Sequence, residues 1–183
     1  TRIGQNDQQV IQKFLDAGSQ GVLMPLINNK SDALEVVDSV KYPPIGKRGL
    51  ASGRGSSYGI PQSVKEHVDH SNKETLVAIQ IETTEAMENV EEISSIEEVD
   101  VLFFGPSDIS SSFGIHGQIN DPKVRDTISS LSKIAIGNGK SCGTIARDAN
   151  DFEFYKEAGF QWFCSGVTNM MQTGMKEYLS ELK

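Results

Sequence analysis

A chain of 183 residues, 37% apolar and 23% charged, fits one domain with room for a buried core. Its formal net charge of −8 speaks against a nucleic-acid partner and leaves any basic site as a local feature. No run approaches the roughly 20 apolar residues of a membrane helix, and no signal peptide opens the chain, so the expected setting is soluble, cytoplasmic and away from membranes.

In chain order, residues 1–3 read as the tail of a strand, and Asp7 is placed to cap a helix that runs to Ala17 and is closed by Gly18. Residues 21–26 form a strand, and Ser31 caps a second helix to Val40, ended by Pro43 and Pro44. Residues 42–63, rich in Gly, Ser and Pro, make a long connection of the kind that is usually functional. Strands at 76–82 and 100–105 flank a helix at 84–95, and a loop at 106–122 leads to a helix opened by Asp121 and Pro122 that reaches Asn138. A strand at 141–146, a helix at 150–158, a strand at 161–166 and an amphipathic segment at 170–182 complete the alternation. Such βα repetition predicts a parallel sheet flanked by helices, one domain over residues 1–183.

Several reactive side chains read as structural. Cys142 and Cys164 lack a metal-ligand spacing and are expected to be small buried thiols. His67 and His70 lie among Lys65, Glu66, Asp69 and Ser71, which predicts a solvated helix face, and His116 in a Gly-flanked turn is assigned no role.

Two of the predicted strands end on a single carboxylate, Glu82 in IQIET and Asp108 in GPSD. A strand, a crossover helix and a parallel strand would bring both acids to the same end of neighbouring strands, where α/β proteins bind ligands. An open pair of carboxylates suits a hard divalent cation, which takes its other oxygens from water and substrate and polarises a carbonyl. From spacing alone the plainer reading is that both are strand-end polar residues capping the helices that follow. Gln80, two residues before Glu82, points to the same strand face by the period of two.

IQIET followed by VLFFGPSDIS resembles the metal-binding pair of the class II 2-oxo-acid aldolases, the family of 4-hydroxy-2-oxoheptanedioate aldolase and 2-keto-3-deoxy-sugar-acid aldolases, related to the citrate lyase beta subunit. TRIGQND near the start, LDAG at 15–18, GVLMPLINN at 21–29, YPPIGKRG at 42–49 and GNGK at 137–140 agree in order and spacing, so the resemblance spans nearly the whole chain. It implies a (β/α)8 TIM barrel of the phosphoenolpyruvate/pyruvate type. The family's first two βα units have no counterpart here, nor has the histidine that follows its second strand and moves the proton in aldol cleavage.

Carried over residue by residue, the resemblance implies that Glu82 and Asp108 hold a divalent metal such as magnesium, manganese or cobalt. It makes Arg2 the catalytic guanidinium on the 2-oxo oxygen, and Gln80 a contact to the metal site through water or substrate oxygen. Gly105, Pro106, Ser107 and Asp108 become the turn whose amides meet the substrate carboxylate; Ser107 stands where alanine is common. Asp16 in LDAG matches an aspartate that reaches across a subunit interface to orient the family's histidine. Lys47, Arg48 and Arg54 bring positive charge to the long loop, either near the active-site mouth or as a solvated face. Near the last strand the family's Gly-Val-Asp is replaced by GVTNMM, with Thr168 for the aspartate, and Met170, Met171 and Met175 read as packing residues. In the family the last helix packs on a neighbouring subunit, which implies a hexamer built from dimers.

The reading is therefore a metal-dependent lyase that cleaves or forms a 4-hydroxy-2-oxo acid by way of an enolate, with pyruvate and an aldehyde as partners. Cleavage of a citrate- or malate-like coenzyme-A thioester on the same scaffold, or a non-catalytic protein that binds metal and 2-oxo acid, are the alternatives.

Overall fold

The computed structural model describes residues 1–50, 58 and 63–182. Five strands, β1 (Gly21–Met24), β2 (Leu76–Ile81), β3 (Val101–Phe104), β4 (Ser141–Ile145) and β5 (Trp162–Cys164), pair in parallel and in chain order. Residues 1–3 extend this sheet beyond β1, as their strand-tail reading predicts: Leu23 donates its N–H to Thr1 O at 2.8 Å and Ile3 to Leu23 O at 3.1 Å. Arg2 thereby becomes an isolated parallel bridge partner of Leu23, so the start of the described chain is fixed to the sheet.

The strands are apolar on both faces, as buried parallel strands must be, but the faces differ. Val22, Met24, Val77, Ile79, Ile81, Leu102, Phe104 and Cys142 join the main core. That core is completed from the helices by residues such as Ile11, Leu15, Val36, Ile93, Ile109 and Ile128. The alternate positions Leu23, Ala78, Val101 and Phe103 form a second, smaller cluster with Trp162 and Cys164, to which no helix among the described residues contributes. Helices on one face and consecutive parallel neighbours describe the wall of a curled sheet rather than a doubly wound one. Each fully buried Ile or Leu of the main core contributes about 1.5–3 kcal/mol relative to exposure.

Most helices start where their caps predict. Asp7 accepts Val10 N–H at 2.9 Å to open α1 (Gln8–Asp16), and Gly18 at φ +102° turns the chain out of it. Ser63 and Glu66 form a capping box for α3 (Val64–Glu74), and Asp121 caps α7 (Pro122–Gly137). α8 (Ala149–Glu157) and α9 (Val167–Glu181) follow β4 and β5, and α9 buries none of its residues in this chain.

Four expectations are corrected. α2 (Lys30–Val40) is capped by Asn29, whose Oδ1 accepts Asp32 N–H at 3.0 Å, so Ser31 lies inside the first turn. The helix expected at 84–95 is two, α4 (Thr84–Glu88) and α5 (Val90–Ser94), because Asn89 leaves helical geometry and donates Nδ2–H to Asn28 O at 3.0 Å. Residues expected to loop after β3 begin with α6 (Pro106–Ser112); its serines are weak helix formers, and Pro106 at the first position and the fully buried Ile109 hold it in place. His67 is not solvated: it is buried against Tyr42, with the hydroxyl 3.3 Å from Nε2, while His70 stays exposed. Of the cysteines, Cys142 is buried, with its thiol pushed up to about 12 by burial, and Cys164 is only partly covered. Among the described residues no helix is long and apolar enough to cross a membrane.

Candidate functional site

Three adjacent pieces of backbone deliver the polar groups at the C-terminal ends of the strands. Along β2, alternation sends Val77, Ile79 and Ile81 into the main core and leaves Ala78, Gln80 and, one step past the strand, Glu82 on the opposite face. The tail beyond β1 supplies Arg2, and the end of β3 supplies Gly105 and the first turn of α6.

A chain of hydrogen bonds connects them. Arg2 Nε donates to Gln80 Oε1 at 3.2 Å, and Gln80 Nε2 donates to Glu82 Oε2 at 2.5 Å. Both ends of the Gln80 amide are thus used, which fixes its orientation. The other oxygen of Glu82 accepts the main-chain N–H of Leu26 at 2.8 Å, and Ser112 Oγ donates to the Glu82 carbonyl at 3.2 Å. Glu82 is 4% exposed, and burial raises its carboxyl above the ordinary range; the Leu26 N–H opposes the rise, and the negative charge of Asp108 adds to it. Asp108 itself is exposed, so the pair opens to solvent on its side.

Gly105 leaves room for these side chains. A Cβ there would lie 3.2 Å from Gln80 Nε2, 3.4 Å from Glu82 Cβ and 3.6 Å from Asp108 Oδ2, filling the space on which the three side chains converge. The first N–H groups of α6 have no partner inside the helix, and Gly105 offers no side-chain cap for them. Two neighbouring carboxylates beside the clear space at Gly105, one raised in pKa mainly by burial and further by the charge of the other, form an oxygen donor set that fits a hard divalent cation. Among the described residues no three or more His, Cys, Asp or Glu gather into a cage, so the donor set is this pair with its amide neighbours.

Of the residues singled out from sequence, Arg2, Gln80, Glu82, Gly105, Pro106, Ser107 and Asp108 come together here; Asp16 does not. It ends α1, near the N-terminal ends of the strands, and accepts from Arg48 Nη2 at 2.9 Å. Arg48 is neither solvated nor at the mouth of the carboxylate pair. It is 5% exposed, stacks over Tyr42 at 4.6 Å, and borders a cavity of about 560 Å³ together with Gln20, His67 and Thr75. Lys47 is exposed and paired with Asp38 at 2.5 Å, and Arg54 lies outside the described residues.

Sequence reasoning missed the loop after β1. Leu26 adopts φ +56°, and Asn28 is tied to Thr83, whose Oγ1 donates to Asn28 Oδ1 at 2.5 Å. Leucine does not announce such a role, because positive φ in sequence is signalled by Gly or Asn. The flanking Asn28–Asn29 pair was the available hint of a tight turn.

Residues 1–173 match the model of the HpcH/HpaI aldolase/citrate lyase family. The chain is 36% identical over 175 residues to the hydroxypyruvate/pyruvate aldolase of Sagittula stellata, an alignment covering 93% of this chain and 66% of that protein. It is 33% identical over 166 residues to the 5-keto-4-deoxy-D-glucarate aldolase of Citrobacter koseri, covering 90% of this chain and 63% of that one. The crystal structure of an HpcH/HpaI aldolase from Desulfitobacterium hafniense superposes with a TM-score of 0.89 at 31% identity, over 100% of this chain and 71% of that one. The chain thus spans just under two thirds of the length of these curated relatives.

Proposed function

Because the chain belongs to the HpcH/HpaI aldolase/citrate lyase family, we propose that it carries the enolate-forming half of a lyase that cleaves a 4-hydroxy-2-oxo acid to pyruvate and an aldehyde, and runs the reverse condensation. The observation that carries the reading is the convergence of Arg2, Gln80, Glu82 and Asp108 at the C-terminal ends of adjacent parallel strands. The same family membership, and relatives named as aldolases, support a full (β/α)8 barrel of which this sheet is a part.

Glu82 and Asp108 are the residues that would hold a divalent cation such as magnesium or manganese, which when bound supplies Lewis-acid polarisation of the 2-oxo group. In cleavage the bond between C3 and C4 breaks, its electron pair moves toward the 2-oxo oxygen to give the enolate, the 4-hydroxyl loses its proton to water as the aldehyde forms, and water returns a proton to C3 to complete pyruvate. Arg2 is the fixed cation for that developing oxyanion: Gln80 engages its Nε and leaves the terminal guanidinium nitrogens for the substrate. The unpartnered amides at Ser107 and Asp108 are suited to the substrate carboxylate, since they are donors already in place before it arrives. Gly105 keeps the space clear. The exposed Met170, Met171 and Met175 on α9 suit packing against a neighbouring subunit in an oligomer.

The test is a retro-aldol assay on the full-length protein, reading pyruvate released from a 4-hydroxy-2-oxo acid with Mn²⁺ or Mg²⁺ and with EDTA. Release that needs the metal and is lost in Glu82→Gln is the expected result. No release, with cleavage of a citrate-like coenzyme-A thioester instead, would move the assignment to a thioester lyase.

A further inference from the structure

Glu82 is gripped on both oxygens, and the grip on Oε1 comes from backbone rather than from a side chain: the N–H of Leu26 at 2.8 Å. That N–H is aimed by an unfavourable conformation. Leu26 sits at φ +56°, in the left-handed region where the Cβ of an L-residue crowds the backbone, and its side chain is 64% exposed, so little packing compensates. The surrounding contacts over-determine the turn. Asn28 receives Thr83 Oγ1–H on its side-chain oxygen and Asn89 Nδ2–H on its carbonyl, and gives its own N–H to Asp32 Oδ2 at 3.0 Å. Ile27 is buried in the main core. A residue kept in a costly conformation by its neighbours, with its amide directed at a carboxylate of the site, points to a role for that conformation.

We infer that Leu26 is a positioning residue: its left-handed main chain and the Gln80 amide clamp the two oxygens of Glu82 so that the carboxylate faces Asp108 in one fixed orientation. The inference rests on the reading of Glu82 and Asp108 as cation ligands and adds what orients the first of them. Partners that orient a ligating carboxylate typically change metal affinity about 10–100-fold when lost. The Leu26 side chain has no part in the clamp; only the backbone angle and the N–H do.

The experiment is Mn²⁺ binding to the full-length protein, followed by electron paramagnetic resonance without substrate, for wild type, Leu26→Val, Leu26→Gly, Leu26→Asn and Glu82→Gln. Valine resists positive φ most strongly, whereas glycine and asparagine accept it and keep the N–H. The expected result is about tenfold or greater weakening in Leu26→Val, with binding kept within about threefold in Leu26→Gly and Leu26→Asn. Wild-type affinity in Leu26→Val beside a loss in Glu82→Gln overturns the clamp and leaves the cation site standing. A tenfold loss in Leu26→Gly or Leu26→Asn also overturns it, because the side chain would then be what matters. Absence of Mn²⁺ binding by the wild type overturns the cation site and the clamp together.

Discussion

At the N-terminal ends of β1 and β2, Arg48 meets Asp16 at 2.9 Å and lies over the Tyr42 ring, and Lys41 delivers its buried ammonium to the carbonyls of Thr75 and Asn72 at 2.7 and 2.8 Å. At the C-terminal ends, burial raises the Glu82 carboxyl and the negative charge of Asp108 adds to the rise, Arg2 hydrogen-bonds to Glu82 only by way of Gln80, and the loop that steadies Glu82 holds a leucine at positive φ. One end answers each charge with an opposite charge or a carbonyl, as a stabilising network must. The other leaves negative charge facing negative charge, an arrangement that makes sense when something else is to complete it. The same strands therefore separate stability from chemistry along their length, as βα proteins commonly do.

The largest effect that would sharpen this contrast is in Glu82→Gln. Pyruvate release in the retro-aldol assay is expected to fall at least about a hundredfold, the scale of losing a preorganised electrostatic element. Thermal stability measured without metal is expected to change by no more than a few degrees, because the substitution removes a buried charge but leaves one oxygen to accept from either Leu26 N–H or Gln80 Nε2, not both. A marked drop in Tm would show that Glu82 is structural and erase the distinction between the two ends.

Arg48→Met is the converse experiment. It leaves the Asp16 carboxylate without its partner and removes the cation over Tyr42, with an expected loss of about 3 kcal/mol by urea unfolding, the lower end for a broken buried pair because Asp16 is 26% exposed. Mn²⁺ affinity is expected to stay unchanged, since no contact joins Arg48 to Glu82 or Asp108. Coupled loss of stability and metal binding would mean that the two ends communicate.

How legible these ends were differs for a physical reason. Gln80 and Glu82 could be placed on one face because a strand alternates strictly, and the parallel order of β2 and β3 follows from a helical interval between two apolar runs. Asp7, Asp121 and Gly18 marked helix ends because their side chains, or the lack of one, act on the adjacent backbone. Arg48 was read as a loop cation, either near the active-site mouth or solvated, and is neither: its partners Asp16 and Tyr42 are brought to it by tertiary folding, which no local pattern encodes. His67 was misread likewise, since charged neighbours in sequence say little about a position that α3 turns toward Tyr42. α6 was hidden because tertiary burial of Ile109 outweighs the weak propensity of its serines. The conformation of Leu26 was out of reach, because its loop is anchored through Asn28 to Thr83 and Asn89, the two caps of α4, which are distant in sequence.

The smallest effect concerns His67, and it tests whether the N-terminal end is as closed as its contacts indicate. Burial lowers the His67 pKa below its ordinary value of 6.5, and the nearby Arg48 charge lowers it further. The unfolded chain then binds more protons than the folded one between the depressed pKa and 6.5, so stability rises with pH through that window and is complete above it. Glu82 works in the opposite direction, since its raised pKa makes the folded state the better proton binder as pH falls. Total Tm against pH therefore mixes two opposed slopes, and the useful quantity is the difference between wild type and His67→Phe. Phenylalanine keeps an aromatic edge against Tyr42 and cannot titrate. On going from about pH 7.5 to about pH 5.5, wild type is expected to lose up to a few degrees relative to His67→Phe. Parallel curves for the two proteins would place His67 in contact with water, and the N-terminal end would then be as open as the end that holds Asp108.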